Sequence, residues 1–234
     1  MQNTCPVSGV PGPGSDACEG AALAGVDERT SDLHLSALLA RRPELAPISG
    51  DIRAAHELFL RCYRGGGTAV FCGNGGSAAD ADHWAGELLK GFESRRPLPQ
   101  PQRDGLDPAI AGKLQGGLPA IPLTGFPALR TAVANDIDPL LEFAQLVQAF
   151  GRPGWLFVGI STSGNAGNVC AAAQVARARG MLVLGLTGAG GGRLAGLCDV
   201  CLRAPSARTC EAQEYHLPIY HTLCLMLEDA LFGA

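Results

Sequence analysis

Apolar positions along the chain follow two rhythms. From Ser31 onward they recur at helical spacing, as Leu33, Leu35, Leu38 and Leu39, then as Ile52, Ala55, Leu58, Phe59 and Cys62. Pro43 and Pro47 fall between the two sets and predict two separate helices. After the turn Gly65-Gly66-Gly67, the unbroken apolar run 68–72 (TAVFC) predicts a buried strand. It stops at Gly73-Asn74-Gly75-Gly76-Ser77, and a helix is expected to begin near Ala78. The same order returns later, with a strand over 155–160, the loop Ser161-Thr162-Ser163-Gly164-Asn165, a helix over 169–179 and a strand over 181–186. A Gly-rich turn after Gly188, a short strand over 200–202 and a long helix from about Cys210 complete it. Strands alternating with helices predict an α/β fold, a mainly parallel sheet flanked by helices in three layers. Right-handed crossovers place both strand-to-helix loops at the carboxyl edge of that sheet.

Two stretches stand outside this rhythm. Residues 1–28 are rich in Gly, Pro, Ser and Ala without periodicity and are expected to form a flexible tail before a single domain over 29–234. Residues 94–120 carry five prolines and little apolar periodicity. An excursion of that length is expected to be an insertion that serves as a lid or stays disordered.

Composition narrows the function classes. Hydrophobic residues make up 47% and charged residues 17%, a globular balance. A net charge of −4 with no basic cluster beyond Arg95-Arg96 argues against nucleic acid as a partner. No basic start with an apolar core opens the chain, and no apolar run is long enough for a membrane helix. Nine cysteines, scattered through apolar segments such as those around Cys72, Cys170 and Cys224, fit free thiols in a reducing cytoplasm. Cys198 and Cys201 form an isolated CxxC without a second half at zinc-knuckle spacing, and are read as strand packing.

The loop Ser161-Thr162-Ser163-Gly164-Asn165 sets three hydroxyls and the backbone N–H groups of a Gly-containing turn before a helix N-terminus. Capping needs one such hydroxyl, and three predict a cradle for an anion such as phosphate. Gly73-Asn74-Gly75-Gly76-Ser77 repeats the device, with glycines that allow close backbone approach and Ser77 placed to cap or to donate to a sugar oxygen. His83 and Glu87 are four apart on one helix face, the spacing of a shared cation or of a solvated pair. The last helix adds Gln213, Glu214, His216 and His221 within nine residues. Gln213 and His221 stand about 12 Å apart along it, so one ion reached by both calls for leaning side chains or a second subunit. Trp84 and Tyr215 read as packing, and His34 and His56 as surface or packing residues without partners.

Four blocks in this order, GNGGSAADADHWAGEL, GISTSGNAGNV, LGLTG and PSARTCEAQEYHLPIYH, resemble the phosphoheptose isomerases of the SIS superfamily over roughly residues 31–232. The resemblance implies an SIS-type, Rossmann-like subunit in a homotetramer with active sites between subunits. It implies interconversion of sedoheptulose 7-phosphate and D-glycero-D-manno-heptose 7-phosphate in the cytoplasm. It places one zinc ion per subunit on His83, Glu87, Gln213 and His221. The phosphate cradle falls on Ser161, Thr162 and Ser163 with Asn165, and further sugar-phosphate contacts fall on Asn74, Gly75, Ser77, Gln213 and the pair Asn135–Asp136. Glu87 is expected to move the carbon-bound proton and His221 the oxygen-bound one. Departures from the family pattern lie at Ala166, where many relatives have serine, at Gly91, where many have arginine with Lys90 adjacent here, and at Glu211-Ala212. A non-catalytic SIS module, a sugar-phosphate-binding regulator or an adaptor of the replication initiator, is the other class with these loops.

Overall fold

Strands with no polar face have to be covered twice, and the architecture follows from that. The computed structural model describes residues 28–233, with side chains from Asp32, so the expected tail lies outside the described residues except for Glu28. The chain runs through α1 (Glu28–Arg41), α2 (Ser49–Arg64), β1 (Ala69–Cys72), α3 (Gly76–Leu89), the single turns α4 (Gln100–Arg103) and α5 (Pro108–Ala111), and β2 (Ala120–Pro122). It continues through α6 (Pro127–Asp136), α7 (Glu142–Phe150), β3 (Leu156–Ser161), α8 (Gly167–Ala178), β4 (Leu182–Thr187), α9 (Gly192–Ala195), β5 (Val200–Arg203) and α10 (Thr209–Phe232). All five strands pair in parallel in the order β2-β1-β3-β4-β5.

Alternate residues of each strand feed opposite cores. Ala69, Phe71, Leu156, Val158, Leu184 and Leu186 face α1, α2, α3 and α10, whereas Val70, Cys72, Phe157 and Val183 face α7 and α8. Residues 31–41 and 49–64 are helical as their spacing predicts, and the predicted strands and last helix shift by one or two residues at their ends. Trp84 is fully buried and stacks on Tyr220, confirming it as packing. His34 is not without a partner, because its Nε2 lies 2.7 Å from Asp229 Oδ2 and ties α1 to α10. His56 is buried in α2.

The 94–120 excursion is ordered at its base. Pro97 bridges Gln115 in antiparallel fashion and Gly116 N–H donates to Arg96 O at 2.6 Å. Its tip, with Leu106, Ile110 and Leu114, is exposed. No described helix is long and apolar enough to cross a membrane.

Candidate active site

The carboxyl ends of β1, β3 and β4 release three loops that meet beside the first turns of α10. Ser161 closes β3, buried, and its carbonyl accepts from Gly164 N–H at 2.8 Å to make a tight turn. Ser163 and Asn165 lock that turn: Asn165 N–H donates to Ser163 Oγ at 3.1 Å and Asn165 Nδ2 to Ser163 O at 3.0 Å. Asn165 is also held from α9, accepting from Arg193 N–H on its side chain at 3.1 Å and from the Arg193 guanidinium on its carbonyl at 3.0 Å. Asn165 thus shapes the loop through both ends of its amide. Arg193 brings the cationic group that the 161–165 segment lacks, and nothing in its own sequence surroundings signals this. Thr162 accepts from Gly188 N–H at 2.8 Å, which fastens the loop to the turn after β4.

Gly164 has φ +65°, and a Cβ there would run into the Gly191 carbonyl. Gly164→Ala is therefore expected to destabilise the fold by about 1–3 kcal/mol, read by urea unfolding. Unchanged stability would show that the two turns do not bear on each other.

The first Gly-rich loop is positioned by a chain of amides and charges. Gly75, at φ +55°, enters α3, and Ser77 is buried in its first turn. Asn74 exchanges two hydrogen bonds with Asn168 of α8, donating at 2.8 Å and accepting at 2.9 Å. Asn168 also donates to Glu142 Oε1 at 2.8 Å, and Glu142 is clamped by Arg130 at 2.7 and 3.2 Å. The two strand-to-helix loops are thereby fixed relative to each other and to α6. Asn135 and Asp136 end α6, exposed, with Asn135 Nδ2 donating to Asp136 Oδ1 at 2.8 Å. They precede β3 and contact neither His83 nor Glu87 through hydrogen bonds.

α3 and α10 lie side by side, and their seam gathers the titratable groups. The Gln213 amide rests on Gly76, where a Cβ would collide with it. Further along both helices, His83 and His221 approach edge to face with ring centres 5.1 Å apart, and His83 Nε2 lies 3.1 Å from Glu87 Oε1. His83, Glu87 and His221 are therefore brought together, and Gln213 is not: it sits beside the start of α3, two helical turns before His83.

Tyr220 and Asp80 orient this cluster, and spacing signals neither because the contacts that join them cross from α10 to α3. The Tyr220 hydroxyl donates to Asp80 Oδ1 at 3.4 Å and stands 3.0 Å from His83 Nδ1. Burial first, then the Asp80 charge, hold the phenol pKa up, so Tyr220 keeps its one proton. Its single proton can go to only one of these two acceptors, so Tyr220 sets which nitrogen of the His83 ring faces Glu87.

Among the described residues, His221 Nε2 is buried without a hydrogen-bond partner, as are His216 Nδ1 and Asp80 Oδ2. Burial, then the His83 ring, hold the His221 pKa below the usual imidazole value against the opposing pull of Glu87. A neutral imidazole with a free nitrogen is a metal-ligand form, and two imidazoles with a carboxylate suit zinc. As they stand, no three His, Cys, Asp or Glu side chains among the described residues surround one point at ligating distance. The direct His83–Glu87 contact fills the space between those donors.

The insertion's root closes one side of this cluster. The Phe92 ring lies 5.1 Å from that of His221, Lys90 Nζ donates to Glu87 Oε2 at 3.3 Å, and Gly91 N–H donates to Gln115 Oε1 at 2.9 Å. On the other side a cavity of about 410 Å³ opens between α1 and α10, lined by Arg41, Arg42, Glu214, Leu217 and His221 among others.

Comparison with known proteins places these features in a family. Residues 134–228 match the SIS domain. The phosphoheptose isomerase of Rhodospirillum rubrum is 41% identical over 189 residues, which are 81% of this chain and 87% of that one. The solved phosphoheptose isomerase of Neisseria gonorrhoeae superposes with a TM-score of 0.65 at 34% identity, over 84% of this chain and 95% of its own. That of Francisella tularensis gives 0.68 at 30%, over 88% and 97%. Loops at the carboxyl edge, a histidine–carboxylate seam between α3 and α10 and these likenesses agree: the chain belongs to the phosphoheptose isomerase family.

Proposed function

We propose that the chain converts sedoheptulose 7-phosphate to D-glycero-D-manno-heptose 7-phosphate, with zinc in the seam between α3 and α10. The observation that carries this is the meeting of His83, Glu87 and His221 in one seam whose N-terminal end adjoins both ligand loops. The chain is a sugar-phosphate isomerase, and an aldose–ketose exchange needs one group to move a proton between two carbons and another to move one between their oxygens.

Glu87 takes the first role. Its carboxylate is only 18% exposed and is held from two sides by His83 and Lys90. His221, neutral with a free nitrogen, takes the second. Zinc, held by His83, Glu87 and His221 with Gln213 as fourth donor, would supply positive charge beside the developing enediolate oxygens. The Ser161–Ser163 turn, the α8 N-terminus and Arg193 bind the phosphate, and that remote binding energy sets the sugar's register. Asn74, Gly75 and Ser77 line the sugar's path from the first loop, and Asn135 and Asp136 contact it from α6. Gln213 stands apart from the other three ligands in its own chain, which accords with a homotetramer whose active sites lie between subunits. Free buried thiols at Cys62, Cys72 and Cys224 accord with a cytoplasmic setting. The ordered root of the 94–120 insertion, beside His221 and Glu87, accords with a lid over the site.

Incubation with sedoheptulose 7-phosphate is expected to yield the aldose, and a strong chelator is expected to stop it. Absence of product from metal-loaded protein would overturn the isomerase assignment, and turnover untouched by chelation would overturn the zinc. His221→Ala is expected to lose stoichiometric zinc together with activity. A variant that keeps full zinc and full activity would remove His221 from both roles.

A further inference from the structure

The thiols of the described chain divide by chemistry. Burial raises the pKa of Cys72 and Cys224 strongly and that of Cys62 to about 11, so none of these is a thiolate at neutral pH. Cys170 is also held up by burial. Cys198 and Cys201 differ, because both are only partly buried and both sit on β5 or its approach, at the open edge of the sheet.

Their sulfurs share one recess. Cys201 pairs with Gly185 in the neighbouring strand, and a Cβ on Gly185 would lie 2.7 Å from Cys198 Sγ and 3.3 Å from Cys201 Sγ. Glycine at that point is what leaves room for two sulfur atoms side by side. The Cys201 sulfur also stands 3.6 Å from the Thr187 hydroxyl, while the Cys198 sulfur points to Leu194 O at 3.1 Å.

We propose that Cys198 and Cys201 are a peroxide-oxidisable dithiol, with Cys201 the attacking sulfur and Cys198 the resolving one. The roles follow from the neighbours: the Cys201 sulfur faces the Thr187 hydroxyl, whereas the Cys198 sulfur lies against a backbone carbonyl, Leu194 O, which disfavours negative charge there. The Cys198 thiol, against the cost of burial, and then Thr187 and Arg203 stabilise negative charge on Cys201 and lower its pKa. The same contact with Cys201, then burial, raises that of Cys198. The thiolate is the nucleophile.

The chemistry balances with hydrogen peroxide as the oxidant. Cys201 thiolate attacks a peroxide oxygen, an S–O bond forms, the O–O bond breaks, and the departing hydroxide takes up a proton to leave as water. Cys198, giving up its proton, then attacks the sulfenic sulfur. An S–S bond forms, the S–O bond breaks, and a second water leaves. Two thiols are oxidised by two electrons in all, and one peroxide is reduced to two waters. A dithiol reductant reverses the change.

Both sulfurs fall in one tryptic peptide, LAGLCDVCLR, between Arg193 and Arg203, which makes the test direct. The full chain, reduced and desalted, is exposed to hydrogen peroxide near neutral pH, alkylated and digested. The peptide is expected to appear two hydrogens lighter and unalkylated, and to regain both alkyl groups after dithiothreitol. In Cys198→Ser, Cys201 is expected to stop as a sulfenic acid captured by dimedone; in Cys201→Ser, Cys198 is expected to stay reduced at the same peroxide dose. Oxidation at Cys210 with this peptide still fully alkylated would overturn the proposal, as would dimedone capture on Cys198 in place of Cys201. The wild-type peptide map decides the matter even where a variant fails to fold.

Discussion

Glu87→Gln is expected to lower the turnover number for sedoheptulose 7-phosphate by at least about 10²–10⁴-fold, the contribution of one positioned proton-transfer group, with an unchanged unfolding midpoint. The substitution keeps the side chain's shape and its reach toward His83 and Lys90, which sit at 3.1 and 3.3 Å. It removes the one carboxylate of the seam that adjoins both imidazoles, and an amide has no basic oxygen for a carbon-bound proton. Loss of rate through a damaged fold is separable, because circular dichroism and urea unfolding report the fold and not the proton transfer. Loss through the metal is separable too, by measuring zinc in the purified variant. A variant with wild-type turnover would take the carbon-bound proton away from Glu87 and leave it a ligand at most. A variant that retains zinc and fold but loses turnover supports the assignment.

Much of this site is written in the chain at short range. The two strand-to-helix loops follow from apolar runs that stop at glycine- and hydroxyl-rich turns, and β1 and β3 are fully buried runs as their composition predicts. His83 and Glu87 share a helix face because of their spacing alone. What escaped lies in the stretch 120–150. β2 is three residues at a sheet edge with Pro122 at its end, too short to announce itself. α6 buries only Val133, so it has no apolar stripe to read. α7 does bury Phe143, Ala144, Leu146 and Val147, but it is nine residues long and follows a proline turn. Asp80, Tyr220 and Arg193 escaped for a different reason. Their contacts cross from α3 to α10 and from α9 to the loop after β3, and depend on how helices align, which no local pattern encodes. The separation of Gln213 from His221, by contrast, was already implied by eight residues of helix.

Glu228→Ala is expected to be the most destabilising single change considered, at about 3–5 kcal/mol, the cost of stripping one partner from a buried ion pair. Glu228 is 3% exposed and Arg96 1%, and the carboxylate takes four donors: Phe92 N–H at 2.9 Å, Glu93 N–H at 3.0 Å, Ser94 N–H at 2.8 Å and Arg96 Nε at 2.8 Å. Alanine would leave three backbone donors and a guanidinium unpaired, with Arg96 still pinned by Leu88 O at 2.9 Å and by the Phe232 ring. The root of the insertion hangs on this carboxylate, and Phe92 packs on His221, so a rise in KM is expected beside the loss of stability. The sign of the pH dependence follows from the same contacts. Burial pushes the Glu228 pKa up, but the three N–H groups and Arg96 outweigh it and leave it below the ordinary glutamate value. A carboxylate with a lowered folded pKa adds stability above its unfolded pKa, about 4.3, and that contribution is lost as pH falls through the folded value. Urea unfolding at neutral pH and near pH 4 is therefore expected to show the wild type weakening in acid more steeply than Glu228→Ala does. Replacing both partners, Arg96→Met with Glu228→Leu, is expected to restore only the part of the loss that comes from the lone guanidinium, because the Phe92, Glu93 and Ser94 N–H groups still lack their acceptor. Equal stability of wild type and Glu228→Ala at neutral pH would show that the three backbone donors find other acceptors, and the insertion would not depend on α10 for its place.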